Sequence, residues 1–212
     1  MKKNIKVIAL FALFSTVGAT AATISVGRGT GNPGISVNES SGTALSTGGF
    51  YFAVGTFSSG GLNVAPPVIT DYASLVAATS TFQIWKETTT STVSPTFGLL
   101  NGSFATTTAT EGTNADYQTL EMYFLVGNKA SYALSTEWAI FKLTAGTPDF
   151  IANLGSATTT AVTLSTGATI TTLGNAGSVS GNVLTLVGAP VPEPSAALLG
   201  MLGALGLLRR RR

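Results

Sequence analysis

The sequence contains no cysteine and no histidine. Without cysteine the chain cannot form a disulfide, a thiolate nucleophile or a thiolate metal site. Without histidine it lacks the commonest general base and metal ligand. Charged residues make up only 9% of the 212 residues, whereas Ser and Thr together number 53. We therefore expect a surface solvated by hydroxyl groups, as in secreted sheet proteins, and a protein without enzyme activity.

Basic residues are concentrated at the two ends of the chain. Seven of the eleven lysines and arginines lie within residues 1–22 and 192–212. The segment between them carries four basic and eight acidic side chains, which leaves a net charge of −4. A nucleic-acid binder needs a basic surface to neutralise phosphates. No nucleic-acid partner is expected.

The N-terminus has the three-part pattern of a secretory leader, namely a basic start, an apolar run over 7–17 and then small residues. Eleven residues of helix span about 16 Å, too short for a hydrocarbon core of about 30 Å. We expect a signal peptide over 1–22 that forms a helix and is removed by signal peptidase. The alternative is a buried N-terminal helix. The small residues that direct cleavage are Ala19, Ala21 and Ala22.

The C-terminus, residues 191–212, is called the tail below. It contains Pro192, Glu193 and Pro194, then an apolar run over 196–208, and ends in Arg209, Arg210, Arg211 and Arg212. The two prolines favour an extended, accessible strip outside any sheet. Thirteen apolar residues form about 20 Å of helix, and four arginines resist transfer across a bilayer. We expect a hydrophobic helix that holds the chain at the membrane transiently, with the arginines as a stop.

The tail closely resembles the PEP-CTERM sorting signal, in which Pro192, Glu193 and Pro194 match the name-giving tripeptide. The apolar run matches its hydrophobic segment and the arginines its basic terminus. The resemblance implies recognition by an exosortase, cleavage near the tripeptide, and release or transfer into an exopolysaccharide or biofilm matrix. It implies a protein tethered to the membrane before processing and located at the cell surface or in the extracellular matrix afterwards. The alternative is an accidental hydrophobic end.

Residues 23–190, called the body below, have the size of one domain. Apolar and polar residues alternate over 49–57 and 117–127, as in half-buried strands. The strand expected over 137–143 carries apolar residues on both faces, which predicts burial on two sides or a central position. Short strands are expected at 161–165, 168–173 and 182–187, within a Thr/Ser/Gly-rich region over 152–190. The body is therefore expected to be a single all-β domain, a β-sandwich or a jelly roll.

One short helix is expected after the paired prolines at 66 and 67, with Thr70 or Asp71 as its N-cap. Its inward face should carry Tyr72, Leu75, Val76 and Thr79, which follow the helical period.

Candidate binding sites in the body are few. The glycines at 29, 31 and 34 satisfy G-x-G-x-x-G, but no helical pattern follows, so no dinucleotide site and no other cofactor is expected. No metal site is expected either, although Glu111, Asn114 and Asp116 form an oxygen-rich loop that could bind Ca²⁺. Tyr51 and Tyr123 fall opposite the apolar rows of their strands, so we expect both to be exposed and able to stack on sugar rings.

Three function classes remain open at this point. The leading one is an exported, non-catalytic surface or matrix protein associated with exopolysaccharide. The others are a carbohydrate-binding module, which needs an exposed aromatic row, and a small secreted hydrolase, which needs two carboxylates facing each other across a cleft. The three classes can be distinguished by where the tyrosine rings and the carboxylates point in the folded protein.

Overall fold

The computed structural model describes residues 23–27, 33–45, 49–59, 61–87, 100, 102–105, 117, 119–144, 159–164, 169–190 and 201. The strands are β1 Thr23–Gly27, β2 Ser36–Asn38, β3 Tyr51–Thr56, β4 Ser58–Ser59, β5 Leu62–Asn63, β6 Gln83–Glu87, β7 Gly102–Ala105, β8 Tyr123–Gly127, β9 Glu137–Leu143, β10 Thr159–Thr163, β11 Ile170–Thr172, β12 Ser178–Ser180, β13 Val183–Thr185 and β14 Val187–Gly188. The helix α1 spans Tyr72–Thr81, and a short 3₁₀ turn spans Tyr132–Leu134. The prediction of an all-β domain with one short helix is confirmed for these residues.

The largest sheet, called the main sheet, has the order β11-β9-β8-β3-β6, and β14 also pairs with β9. Its described pairings are antiparallel. Two smaller sheets have the orders β10-β1-β7 and β12-β13-β2, and β4 pairs with β5 in a hairpin. The pairs β1/β10 and β2/β13 are parallel, so each joins strands far apart in the sequence. Sequence periodicity gave no signal for these two parallel pairings.

Side-chain alternation divides the core into two clusters, one on each face of the main sheet. The first cluster contains Phe52 and Phe124 with residues of both small sheets, such as Ile24 and Leu184. The second cluster contains alternate residues of the central strands, namely Tyr51, Ala53, Tyr123, Leu125, Trp138 and Ile140. It also contains side chains of α1 and of the segments beside it, namely Phe57, Ile69, Leu75, Ala78 and Phe82. The small sheets therefore cover the first face, while α1 and its neighbouring segments cover the second.

Strand β9 lies inside the main sheet, as predicted from its two apolar faces. It pairs with β8 on one side and with β11 and β14 on the other. The expected strand over 117–127 is shorter than predicted and begins only at Tyr123. Thr119 has a φ of 64°, a left-handed conformation that cannot continue an extended strand. Leu120 and Met122 still join the first cluster, so the predicted inward face is correct.

The predicted strand segments near the end of the body occur as β10, β11 and β13, each with bounds shifted from 161–165, 168–173 and 182–187. Strands β12 and β14 were not predicted. They are three and two residues long, too short to show a period in the sequence.

Asp71, one of the two predicted caps, is the N-cap of α1. Its carboxylate accepts a hydrogen bond from the Ser74 backbone N–H at 2.8 Å, and the Ser74 hydroxyl accepts one from the Asp71 N–H at 3.0 Å, which completes a capping box. Leu75 and Thr79 face inward as predicted. Val76 is 40% exposed, and Ala78 takes the inward position instead. Ala78 lies one helical turn after Leu75 and is small enough to let α1 approach the sheet closely.

We predict that Asp71→Ala lowers the thermal midpoint of unfolding at neutral pH, because the first turn of α1 loses its cap. The hydrogen bonds from Ser74 hold the pKa of Asp71 below its usual range. A lowered folded-state pKa means that the stabilisation is present above about pH 4 and is lost as the pH falls through the folded-state value. The difference in thermal midpoint between the variant and the wild type should therefore become smaller at acidic pH. Thr70→Ala is the matched control and should leave the midpoint unchanged.

Candidate functional site at the junction of body and tail

The last strand of the body is β14, and it joins the tail to the main sheet. Val187 pairs with Trp138 and Gly188 with Glu137, so β14 runs antiparallel to the start of β9. Just before β14, the Leu186 N–H donates to the Asn38 carbonyl at 2.9 Å, which links the same segment to β2. The chain therefore leaves the body beside Glu137, two residues before position 190.

Because Gly188 has no side chain, β14 can lie close to Ser40 and Glu137. A Cβ at this position would lie 2.8 Å from the Ser40 Oγ and 3.1 Å from the Glu137 side chain. Ser40 and Glu137 are also hydrogen-bonded to each other. The Glu137 carboxylate accepts a hydrogen bond from the Ser40 N–H at 2.6 Å and another from the Ser40 hydroxyl at 2.9 Å. A side chain at Gly188 would displace this contact and loosen the last strand.

Asn128 fixes the connection between β8 and β9 and is only 5% exposed. Its Oδ1 accepts hydrogen bonds from the Thr136 N–H at 2.9 Å and the Glu137 N–H at 3.1 Å, and its own N–H donates to the Glu137 carbonyl at 3.1 Å. Its Nδ2 donates to the Glu39 carboxylate at 3.4 Å. One amide side chain therefore joins the connection to the turn after β2.

Glu39 also forms an ion pair with Lys129, with an N···O distance of 3.6 Å. The turn at 39–43, the connection at 128–136 and β14 together form one end of the main sheet, called the exit end below. The sequence interpretation did not identify this cluster. The local signal for this cluster was an asparagine directly after Gly127, the last residue of β8. Asparagine side chains often form hydrogen bonds with nearby backbone groups.

The prediction that Tyr51 and Tyr123 are exposed is wrong. Tyr51 is 2% exposed and Tyr123 is 1% exposed, because both lie on the face of the main sheet that α1 and its neighbouring segments cover. The Tyr51 ring contacts Tyr132 and Trp138 edge-on, and the Tyr123 ring contacts Phe57. Neither ring face is available for stacking on a sugar.

Burial also changes the acid–base behaviour of the two phenols. Burial, together with the neighbouring Glu87 carboxylate, raises the pKa of Tyr51 far above its usual value. Burial and a hydrogen bond from the phenol to the Glu121 carboxylate raise the pKa of Tyr123 in the same way. Both side chains therefore stay neutral in the folded protein at any ordinary pH.

Four of the described carboxylates accept hydrogen bonds within the fold. Glu39 accepts from Asn128, Asp71 from Ser74, Glu121 from Tyr123, and Glu137 from Ser40. Across the ranges that the structure describes, no three acidic side chains converge on a point where a metal ion could bind. The possible Ca²⁺ ligands Glu111, Asn114 and Asp116 lie outside the described residues.

The predicted processing residues also lie outside the described residues. These are Ala19, Ala21 and Ala22 at the leader, Pro192, Glu193 and Pro194 in the tail, and Arg209, Arg210, Arg211 and Arg212 at its end. Of the tail, the structure describes only Met201, which is 65% exposed. None of the helices within the described ranges combines the length and hydrophobicity that crossing a membrane requires.

The last strand of the β-rich body ends at Gly188, and the tail begins three residues further along the chain. The family model for the PEP-CTERM protein-sorting motif matches residues 190–212. The resemblance seen in the sequence is therefore confirmed. The motif implies export, anchoring at the membrane before cleavage, and processing by an exosortase. The comparisons with curated proteins and with solved structures each found no match to this chain.

We predict that Asn128→Ala lowers the free energy of unfolding by about 1–3 kcal/mol, because two partly buried hydrogen bonds from backbone N–H groups lose their acceptor. Asn63→Ala is the matched control. The Asn63 Oδ1 likewise accepts from a backbone N–H, that of Glu121 at 2.8 Å, but Asn63 is exposed, so water can replace it. The free energy of unfolding of Asn63→Ala should fall by less than about 1 kcal/mol. Urea unfolding of both variants measures the difference, and equal losses would contradict the role given to Asn128.

We predict that Tyr51→Phe leaves the rise in tyrosinate absorbance near about pH 10 unchanged in the folded protein. In concentrated urea, where all five tyrosines ionise, the same variant should lose one-fifth of that rise. Because the folded-state pKa is raised, this tyrosine favours folding below about pH 10 and favours unfolding as the pH rises further. A smaller rise for the folded variant would show that Tyr51 is accessible.

Proposed function

We propose that this chain is an exported, exosortase-processed protein of the cell surface or extracellular matrix, and that its body has no catalytic activity. The observation that carries the proposal is the PEP-CTERM motif at 190–212, which begins two residues after the last strand of a folded body. Before processing the tail tethers the body to the membrane. After processing the body becomes part of the surface or the biofilm matrix.

Two further observations support a non-catalytic body. The sequence has neither histidine nor cysteine, which removes the usual acid–base and nucleophilic side chains. Four described carboxylates are already bound by hydrogen-bond donors of the fold, as in a structural role. Signal peptidase removes the leader over 1–22, and an exosortase then acts at Pro192, Glu193 and Pro194.

Exopolysaccharide is the proposed partner of the processed body. With 53 Ser and Thr among 212 residues, the chain offers many hydroxyl groups that can hydrogen-bond to sugar hydroxyls. Stacking on Tyr51 and Tyr123 is not part of this proposal, because both rings are buried. The two rings that the sequence offered for stacking therefore do not support a dedicated carbohydrate-binding module.

The test is the mass and location of the protein in a cell that carries an exosortase. The wild type should be recovered outside the cytoplasm without its leader and without most of its tail. Replacing Pro192, Glu193 and Pro194 by alanine should leave a tail-bearing form in the membrane fraction. The matched control replaces Pro66 and Pro67 of the body by alanine and should be processed like the wild type. Recovery of intact wild type in the cytosol would refute the proposal.

A further inference from the structure

The strand β1 is the middle strand of its sheet. It pairs in parallel with β10 on one side and antiparallel with β7 on the other. Within the described residues, β7 and β10 each pair with β1 and with no other strand. Without β1, these two strands would border an empty place about one strand wide, called the β1 slot below.

The β1 slot accepts only a strand with a particular side-chain pattern. Ile24 and Val26 are both 0% exposed and belong to the first cluster, whereas Ser25 between them is exposed. An empty slot would expose part of the first cluster to water and leave backbone groups of β7 and β10 unpaired. The occupant must therefore be an extended segment with alternate apolar side chains, and the structure shows that β1 itself fits.

Once the leader is removed, β1 is attached to the rest of the body at one end only. Its register partners lie at 102–105 and 159–163, so no hairpin holds it to a neighbour in the sequence. Five residues that include Gly29 and Gly31 lead from Gly27 to Pro33, and glycine adopts more backbone conformations than other residues. A β1 strand from another copy would make the same contacts in the slot, so exchange between copies changes only the path of this connection.

The order of the strands along the chain favours such an exchange during export. Because β1 directly follows the leader, it leaves the membrane before β7 and β10, and its own slot is complete only after residue 163 has followed. Pairing between strands so distant in the sequence is slow. Copies held side by side on one membrane by their tails then present unpaired β1 strands and new slots at a high local concentration.

We propose that β1 of one copy enters the β1 slot of the next copy, so that exported copies join into strand-exchanged assemblies at the cell surface. This inference rests on the proposed function, because the tail brings the copies together and removal of the leader frees the end of β1. It makes a second copy of this chain a partner of the body. A copy that donates β1 to its neighbour leaves its own slot open for a third copy, so the assembly grows from head to tail.

The absence of cysteine makes a direct test possible. Ser25 in β1 and Ser103 in β7 are directly opposite each other. The Cβ atoms of such a pair lie about 5 Å apart, a separation that a disulfide bridges after a small adjustment. The full-length Ser25→Cys/Ser103→Cys variant is produced in a cell that carries an exosortase, and the exported protein is oxidised. Exchange joins different chains through the disulfide and gives a ladder of multimers on a non-reducing denaturing gel.

Lys142→Cys/Thr171→Cys is the matched control. These two positions are directly opposite in β9 and β11, which both continue into the chain at each end and so are not expected to exchange. The 25/103 pair should give at least about fivefold more multimer than the control pair. Cells that produce Ser25→Cys and Ser103→Cys from two separate genes should also yield a tryptic fragment in which the two cysteines are linked, because that link can form only between chains.

The outcomes separate strand exchange from the proposed function. If the exported 25/103 variant is a monomer with an internal disulfide, the exchange is overturned and the proposed function stands. The same conclusion follows if the control pair gives as much multimer, or if no 25/103 disulfide forms. If the chain remains intact in the cytosol, both the exchange and the proposed function are overturned.

Discussion

Strands β3, β8 and β9 carry apolar side chains on both faces, and the need to shield both faces from water governs the rest of the structure. The two small sheets cover one face, and α1 with its neighbouring segments covers the other. The chain has no disulfide to strengthen a smaller core, so burial of this sheet is the main source of its stability. The same requirement removes Tyr51 and Tyr123 from the surface.

The exit end shows how the core holds the strand from which the tail continues. Strand β14 has only two residues, yet it is held by pairing with β9, by the contact of Gly188 with Ser40 and Glu137, and by the Leu186 bond to Asn38. Asn128 fixes the neighbouring connection through partly buried hydrogen bonds. The PEP-CTERM motif begins at position 190, two residues after β14 ends.

Much of the fold could be predicted because the relevant signals are local. Strand β9 has the predicted bounds, and Asp71 caps α1 because an N-cap and its third following residue interact within one turn. The shortened strand before Tyr123 could not be predicted, since the left-handed conformation of Thr119 is unusual for a β-branched residue. The parallel pairs β1/β10 and β2/β13 were also invisible, because they join residues more than 130 positions apart. Periodicity reports which face of a strand is apolar, but it does not report which strand lies beside it.

The sequence by itself determined the sorting class of this protein, because the PEP-CTERM motif is a linear signal made of consecutive residues. It also determined which side chains of each strand share a face, since alternation is a property of the extended backbone. Only the tertiary structure decided whether a face is exposed: Tyr51 and Tyr123 lie opposite an apolar row, but α1 packs over them. It alone brought Glu39, Asn128 and Gly188 together at the exit end, because contacts between distant segments depend on how the whole core is filled.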